Sequence, residues 1–283
     1  LDEVVVTANQ HKTLRRQAPA LVNIVGLKTF QLSQSNSLAD ALPFQTGVRV
    51  EDNCESCGFK QARINGLDGH YSQILIDSHP VFSALSSVYG LEIVPENLIA
   101  RTEVMRGGGS ALYGSSAVGG TINLITRDPL YNGAQIKHSF MGIGGTGAFD
   151  NNTEVNGSAT TDNHKAGIYV FGQNRYRKGY DRNGDGITEL PQLRSQTFGT
   201  KAFISPDENQ RISFNFFHAE ATHRGGSDLD MQPDQASIAE MAQHNISQAS
   251  LEYQLYSPDE KQHFDAYTSF MNTDRNSYSG GKD

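Results

Sequence analysis

From about residue 130 onward, apolar and polar residues alternate in runs of roughly ten, separated by turn residues. In 211–221 one face holds Ile212, Phe214 and Phe216, and the other holds Arg211, Ser213 and Asn215. In 249–256, Leu251, Tyr253 and Leu255 oppose Ser250, Glu252 and Gln254. In 263–272, Phe264, Ala266 and Phe270 oppose His263, Asp265 and Ser269. In 154–159, Val155, Gly157 and Ala159 oppose Glu154, Asn156 and Ser158. A period of two sends successive side chains to opposite faces of a strand. The pattern predicts seven strands, starting near residues 134, 153, 165, 194, 210, 246 and 262. Their connections alternate in length: 162–165, 205–210 and 257–261 are short and polar, while 180–192 and 222–245 are long. Short turns at one rim and long loops at the other characterise an outer-membrane β-barrel. A soluble antiparallel sandwich also alternates, so periodicity favours the barrel without excluding the sandwich. Single-chain bacterial barrels close with even strand numbers. The chain stops at Asp283, where a long loop should begin, so the rest of the barrel is expected outside it.

Before Pro129 the chain reads differently, as short helical signals, short strands and glycine loops. Residues 37–42 predict a helical turn with Ser37 as its cap and Pro43 closing it. Short strands are predicted at 74–77, 99–105 and 121–125.

Composition narrows the classes. Of 283 residues, 37% are hydrophobic and 19% charged, with 28 glycines, which suits sheets and turns. The net charge of −8 argues against a nucleic-acid partner, which needs a basic face. No stretch approaches the ~18 apolar residues of a membrane-spanning helix, a test that membrane β-strands escape. The N-terminus has neither a basic nor an apolar signal region, so a signal peptide was removed or never present. The glycine-rich run 106–120 contains no Gly-Lys-Ser/Thr, and no lysine lies between Arg106 and Arg127. A phosphate-binding loop needs that cation, so no nucleotide is expected, and tight backbone packing accounts for the glycines better. No Gly-x-Ser-x-Gly and no metal-protease histidine pair is present, so no enzyme is expected.

Several blocks together carry a resemblance. The stretches Ile99-Ala100-Arg101-Thr102-Glu103-Val104-Met105-Arg106-Gly107, Ser110-Ala111-Leu112-Tyr113-Gly114 and Gly119-Gly120-Thr121-Ile122-Asn123-Leu124-Ile125-Thr126 closely resemble the plug domain of TonB-dependent outer-membrane receptors. Asp2-Glu3-Val4-Val5-Val6-Thr7-Ala8 resembles that family's TonB box. Residues 37–50, 63–66 and 74–80 resemble further plug blocks. Thr46 stands where a proline is usual before the glycine, and Ser78 where a glycine is common, which bears on the local turn.

The resemblance implies an α+β plug domain over 1–130, followed over 131–283 by antiparallel strands of a transmembrane β-barrel that is incomplete in this chain. It implies a Gram-negative outer membrane with its lipids, a periplasmic N-terminus, and TonB pairing with residues 2–8 as an added strand. It implies active import of a scarce ligand past a plug whose polar contacts can open. Arg101, Glu103, Arg106 and Arg127 are candidates for such contacts.

The block 54–92 looks most like receptors for cobalamin or haem, with His70, Tyr71, His79, Phe82 and Tyr89 as ligand contacts. Ferric siderophores, copper, and a non-transporting subunit that holds a surface lipoprotein are the other readings. Cys54 and Cys57, the two cysteines of the chain, read as a disulfide pinning a plug loop or as a redox or metal pair. In 181–189, Asp181, Asn183, Asp185, Ile187 and Glu189 place oxygen donors at the first, third, fifth, seventh and ninth positions of a calcium loop, with Gly186 at the sixth. Gln192 stands where an EF-hand has glutamate. A polar turn is the plainer reading. Cobalamin receptors of the resembled family use calcium to order outer loops, so calcium is the expected cofactor.

Overall fold

The computed structural model describes residues 3–8, 13–54, 58–80, 91–145, 147–259 and 262–282. These fall into two units that divide between Thr126 and Arg127.

The first unit is built on a five-stranded sheet of β3 (Val22–Gly26), β6 (Ser72–Ile76), β7 (His79–Pro80), β8 (Ile99–Arg106) and β9 (Gly120–Thr126), ordered β3-β8-β9-β6-β7. β6 runs parallel to β9, and the other pairings are antiparallel. Parallel neighbours need a long crossover, and here residues 77–119 supply it. The core gathers Val5, Ala8, Val22, Leu75, Met105, Tyr113 and Ala117. β4 (Val48–Cys54) and β5 (Phe59–Ile64) form a separate hairpin.

Two helices, α1 (Leu27–Ser33) and α2 (Leu38–Ala41), precede that hairpin. Ser37 stands at the N-cap of α2, but its hydroxyl donates to Asp40 Oδ2 at 2.8 Å and makes no capping bond to the backbone. A further short helix, α3 (Ser110–Tyr113), follows β8. Its neighbourhood explains the glycine run. Gly107, Gly108, Gly114 and Gly120 all take positive φ, and a Cβ at Gly120 would meet the Met105 carbonyl oxygen. The glycines answer a left-handed backbone at all four positions and backbone crowding at Gly120.

The second unit is one antiparallel meander: β10 (Gly133–Ile143), β11 (Ala148–Thr160), β12 (Ala166–Arg177), β13 (Gln192–Ile204), β14 (Gln210–Gly226), β15 (Ala239–Tyr256) and β16 (His263–Gly280). The count of seven agrees with the sequence reading.

Burial settles which way the faces point. Phe214 is 42% exposed and Leu251 47%, while their neighbours Ser213 and Ser250 are 3% and 6% exposed. The outward positions of these strands are thus largely apolar, and the inward ones carry most of the buried polar side chains, with Phe171, Phe203 and Phe217 among the apolar residues that also face inward. In a soluble sandwich the inner face is apolar; apolar-out and polar-in is the membrane barrel's arrangement. The outward band runs across strands through Val170, Phe216 and Phe270. On the inward face, buried Arg175 donates to Asp150 at 2.6 Å and 3.1 Å, so two buried charges compensate one another.

Two strand boundaries differ from the sequence reading. β11 starts at Ala148, where 153 was expected, and β15 starts at Ala239, where 246 was expected. The expected loop 222–245 shrinks to 227–238, because β14 and β15 stay paired through Glu220↔Asn245 and His223↔Ala242. Backbone pairing continues past the apolar band into polar residues, where hydropathy gives no cue.

Candidate functional site

The N-terminal segment is paired and partly buried. β1 (Val4–Val5) pairs with β2 (Thr13–Leu14), and Arg15 N donates to Glu3 O at 2.8 Å. Glu3 meets Arg15 in an exposed ion pair at 2.6 Å. Val5 and Thr7 are fully buried and Ala8 nearly so, while Val4 is exposed. Asp2 lies outside the described residues.

A buried polar cluster receives this segment. Glu103 Oε2 accepts from Val6 N at 2.9 Å, Thr7 N at 3.0 Å and Thr7 Oγ1 at 2.6 Å. Arg101 holds the other oxygen, Oε1, through Nε at 2.9 Å and a second guanidinium nitrogen at 2.8 Å. Tyr113 OH donates to Thr7 O at 2.9 Å, and Asn123 Nδ2 donates to Thr7 Oγ1 at 3.0 Å. The same Asn123 accepts from Ser78 N at 2.9 Å and donates to Ser78 Oγ at 3.0 Å. Burial pushes the Tyr113 phenol up to about 12, against the pull of a Ser78 hydrogen bond, and the nearby Glu103 carboxylate adds to the rise.

The sequence singled out Glu103 by type but gave no sign that it meets Thr7, 96 positions away. Nor did it show that Ser78 keeps the tight turn. Asp77 and Ser78 both take positive φ between the paired residues Ile76 and His79, the two-residue hairpin turn for which glycine is the easy choice.

The ligand candidates are spread out. His70 and Tyr71 sit in one turn after Asp68, with ring centroids 4.6 Å apart. His70 Nδ1 lies 2.7 Å from Asp68 Oδ1, and His70 is exposed. His79 lies on β7. Phe82 and Tyr89 lie outside the described residues. Cys54 is disulfide-bonded. Cys57, the only other cysteine of the chain, also lies outside the described residues.

The 181–189 loop closes between β12 and β13 through the pair Tyr180↔Leu190. Asp181, Asp185 and Glu189 bring carboxylate oxygens within 4.8 Å of one another. Asp181 accepts from Gly184 N at 2.6 Å and Gly186 N at 2.8 Å. Gly186, at φ +88°, makes the sharp turn a calcium loop needs at its sixth position. Asn183 is exposed and bonds within the loop: its Oδ1 accepts from Asp185 N at 2.9 Å. Ile187 N donates to Asp185 Oδ1 at 2.8 Å. Gln192 begins β13 and donates to Tyr176 OH at 3.3 Å. Three convergent carboxylates on a glycine turn suit a hard cation with oxygen ligands.

Residues 15–121 match the TonB-dependent Receptor Plug Domain. This stretch is a domain of that plug type. Over 125 residues, 44% of this chain, the sequence is 31% identical to the vitamin B12 transporter BtuB of Vibrio vulnificus (strain CMCP6). The solved alcaligin outer-membrane receptor FauA of Bordetella pertussis superposes with a TM-score of 0.75 at 13% identity, covering 98% of this chain and 43% of FauA. The ferric citrate transporter FecA, unliganded, superposes with a TM-score of 0.72 at 19% identity, covering 92% of this chain and 40% of FecA. The chain thus spans about a fifth of the curated relative's length and about two fifths of these solved receptors. The plug is followed by barrel strands, as in those folds.

Proposed function

We propose that this chain is the plug and first barrel strands of an importer that carries cobalamin across the outer membrane of a Gram-negative bacterium, driven by TonB. The observation that carries the ligand is the 31% identity to a vitamin B12 transporter. The solved siderophore receptors share the fold at identities too low to speak for a ligand. In this reading residues 2–8 lie on the periplasmic side and offer their main chain to TonB. The loops opposite receive the ligand, with His70, Tyr71, His79, Phe82 and Tyr89 as candidate contacts. Calcium, held by Asp181, Asp185 and Glu189, orders the 181–189 loop and lowers the cost of closing it over the ligand.

Calorimetric titration of the complete receptor with cyanocobalamin tests this reading. Tight binding in calcium that weakens in chelator is expected. Asp181→Asn with Asp185→Asn is expected to give the weakened affinity in both conditions. No cobalamin binding in either condition overturns the ligand assignment, and equal binding in both overturns the calcium site.

A further inference from the structure

We infer that the outward face of β12 and β13, at the rim of the long loops, holds the phosphate of a membrane-lipid headgroup through Arg194 and Lys178. The inference rests on reading the second unit as a barrel whose long-loop rim faces the cell exterior.

The outward face is not uniform across the sheet. Strand pairing puts Tyr176, Arg194, Thr222, Gln243 and Asn276 in one outward row from β12 to β16. The next row towards the apolar band runs Asn174, Gln196, Glu220, Asn245 and Asp274. At this height the acidic residues therefore fall on β14 and β16, and the arginine falls on β13. Beside it lies a group of rings. Phe140 stacks on Phe149 with centroids 5.4 Å apart, and Phe149 meets Tyr176 at 5.8 Å. The Arg194 guanidinium lies 5.7 Å from the centroid of Tyr176. Outward rings of this kind mark the headgroup level of a membrane barrel, so Arg194 stands at the depth of lipid phosphates.

Two cations at that depth lack a counter-charge. Arg194 and Lys178 are exposed, and neither forms an ion pair among the described residues. Elsewhere in this unit Arg175 meets Asp150, and Lys201 and Arg211 share Asp128. Arg224, opposite Gln192, donates to the carbonyls of Gly225 and Ser227. Lys178 stands two positions beyond Tyr176, one outward step above Arg194. Its backbone N donates to Phe149 O at 2.8 Å, which fixes it beside the rings. Gln192 donates to Tyr176 OH at 3.3 Å and steadies the ring that Arg194 stacks on.

The chemistry suits a phosphate. A guanidinium stacked by its face keeps its edge N–H groups for two parallel bonds to phosphate oxygens, and lysine adds a point charge. A lipid fits better than a soluble anion because the outward Phe198 and Val170 continue below the cations and offer apolar surface to acyl chains.

Native mass spectrometry of the complete receptor, released from mixed micelles, tests the site. The probes are lipid A with its phosphates and the same lipid stripped of them. The wild type should retain the phosphorylated form about tenfold better. Arg194→Gln with Lys178→Gln should abolish that preference, and Lys165→Gln, in a short turn at the opposite rim, should leave it intact. Inorganic phosphate at matching concentration should not displace the lipid, having no chains to bury.

Equal retention of both lipids by the wild type overturns the site, as does a preference that survives the double substitution. A preference lost in Lys165→Gln puts the phosphate at the other rim and overturns it too. Displacement by inorganic phosphate overturns the lipid assignment. A phosphate preference that needs Arg194 and Lys178, in a receptor that binds no cobalamin, upholds the site and removes the ligand reading above.

Discussion

At Ser78 a side chain accepts a backbone conformation that glycine would take more easily, and gains partners by doing so. Its φ of +69° costs about 1 kcal/mol, and its hydrogen bonds to Asn123 return a similar amount. Ser78→Gly should therefore move the unfolding free energy by less than about 1 kcal/mol, because the two terms offset. Ser78→Val keeps the strain, worsens it with a β-branch and loses the hydroxyl, so denaturant unfolding should show a loss of about 2 kcal/mol or more. Tyr113 gives a pH prediction. Its phenol is raised to about 12 by burial, so the neutral form is the one the fold holds. A raised acid keeps its contribution intact below the unfolded value near 10 and loses it as pH climbs from there to about 12. Alkaline unfolding of the wild type should steepen in that window, and Tyr113→Phe should remove the extra slope while costing about 1 kcal/mol at neutral pH. Of these residues the sequence made Ser78 visible as a departure and Glu103 visible by type, while Tyr113 stood only within a resembled block. That they meet through Thr7 depends on a chain reversal of about a hundred positions, which no local pattern encodes.

Among the elements, barrel strands were the easiest to read. Their outward residues must be apolar over the thickness of the lipid, so Phe214, Leu251 and Phe270 mark them plainly. Their ends were harder. Above the lipid, β14 and β15 are held by backbone bonds between polar residues such as Glu220 and Asn245, and composition there looks like loop. The two faces should respond differently to charge. Phe214→Arg should destabilise the folded receptor in bilayers by about 2–4 kcal/mol, near the value for the membrane midplane. Asn215→Arg, on the inward face of the same strand, should cost distinctly less in the same urea titration. Equal losses would mean that β14 does not face lipid. The 181–189 loop was legible as donor spacing. What the structure adds is that the carboxylates of Asp181, Asp185 and Glu189 converge, each also accepting a backbone N–H within the loop.

Taken as a whole, the chain joins two units with different logic. The first has an apolar core with a small polar cluster inside it, and the second an apolar exterior and a mixed inner face rich in buried polar groups. That inversion is why the second unit reads as weakly hydrophobic in sequence and yet belongs to a membrane. The ligand is the least legible property, because the proposed contacts lie in separated segments, of which His70, Tyr71 and His79 are described. The central claim is TonB-driven import of cobalamin. Uptake of labelled cyanocobalamin tests it most directly, in cells whose own cobalamin receptor is deleted and which express the complete receptor with or without residues 2–8. The account predicts uptake with the full segment and loss of uptake, with surface binding retained, when residues 2–8 are removed. Undiminished uptake without that segment, or no uptake with it, would contradict the account.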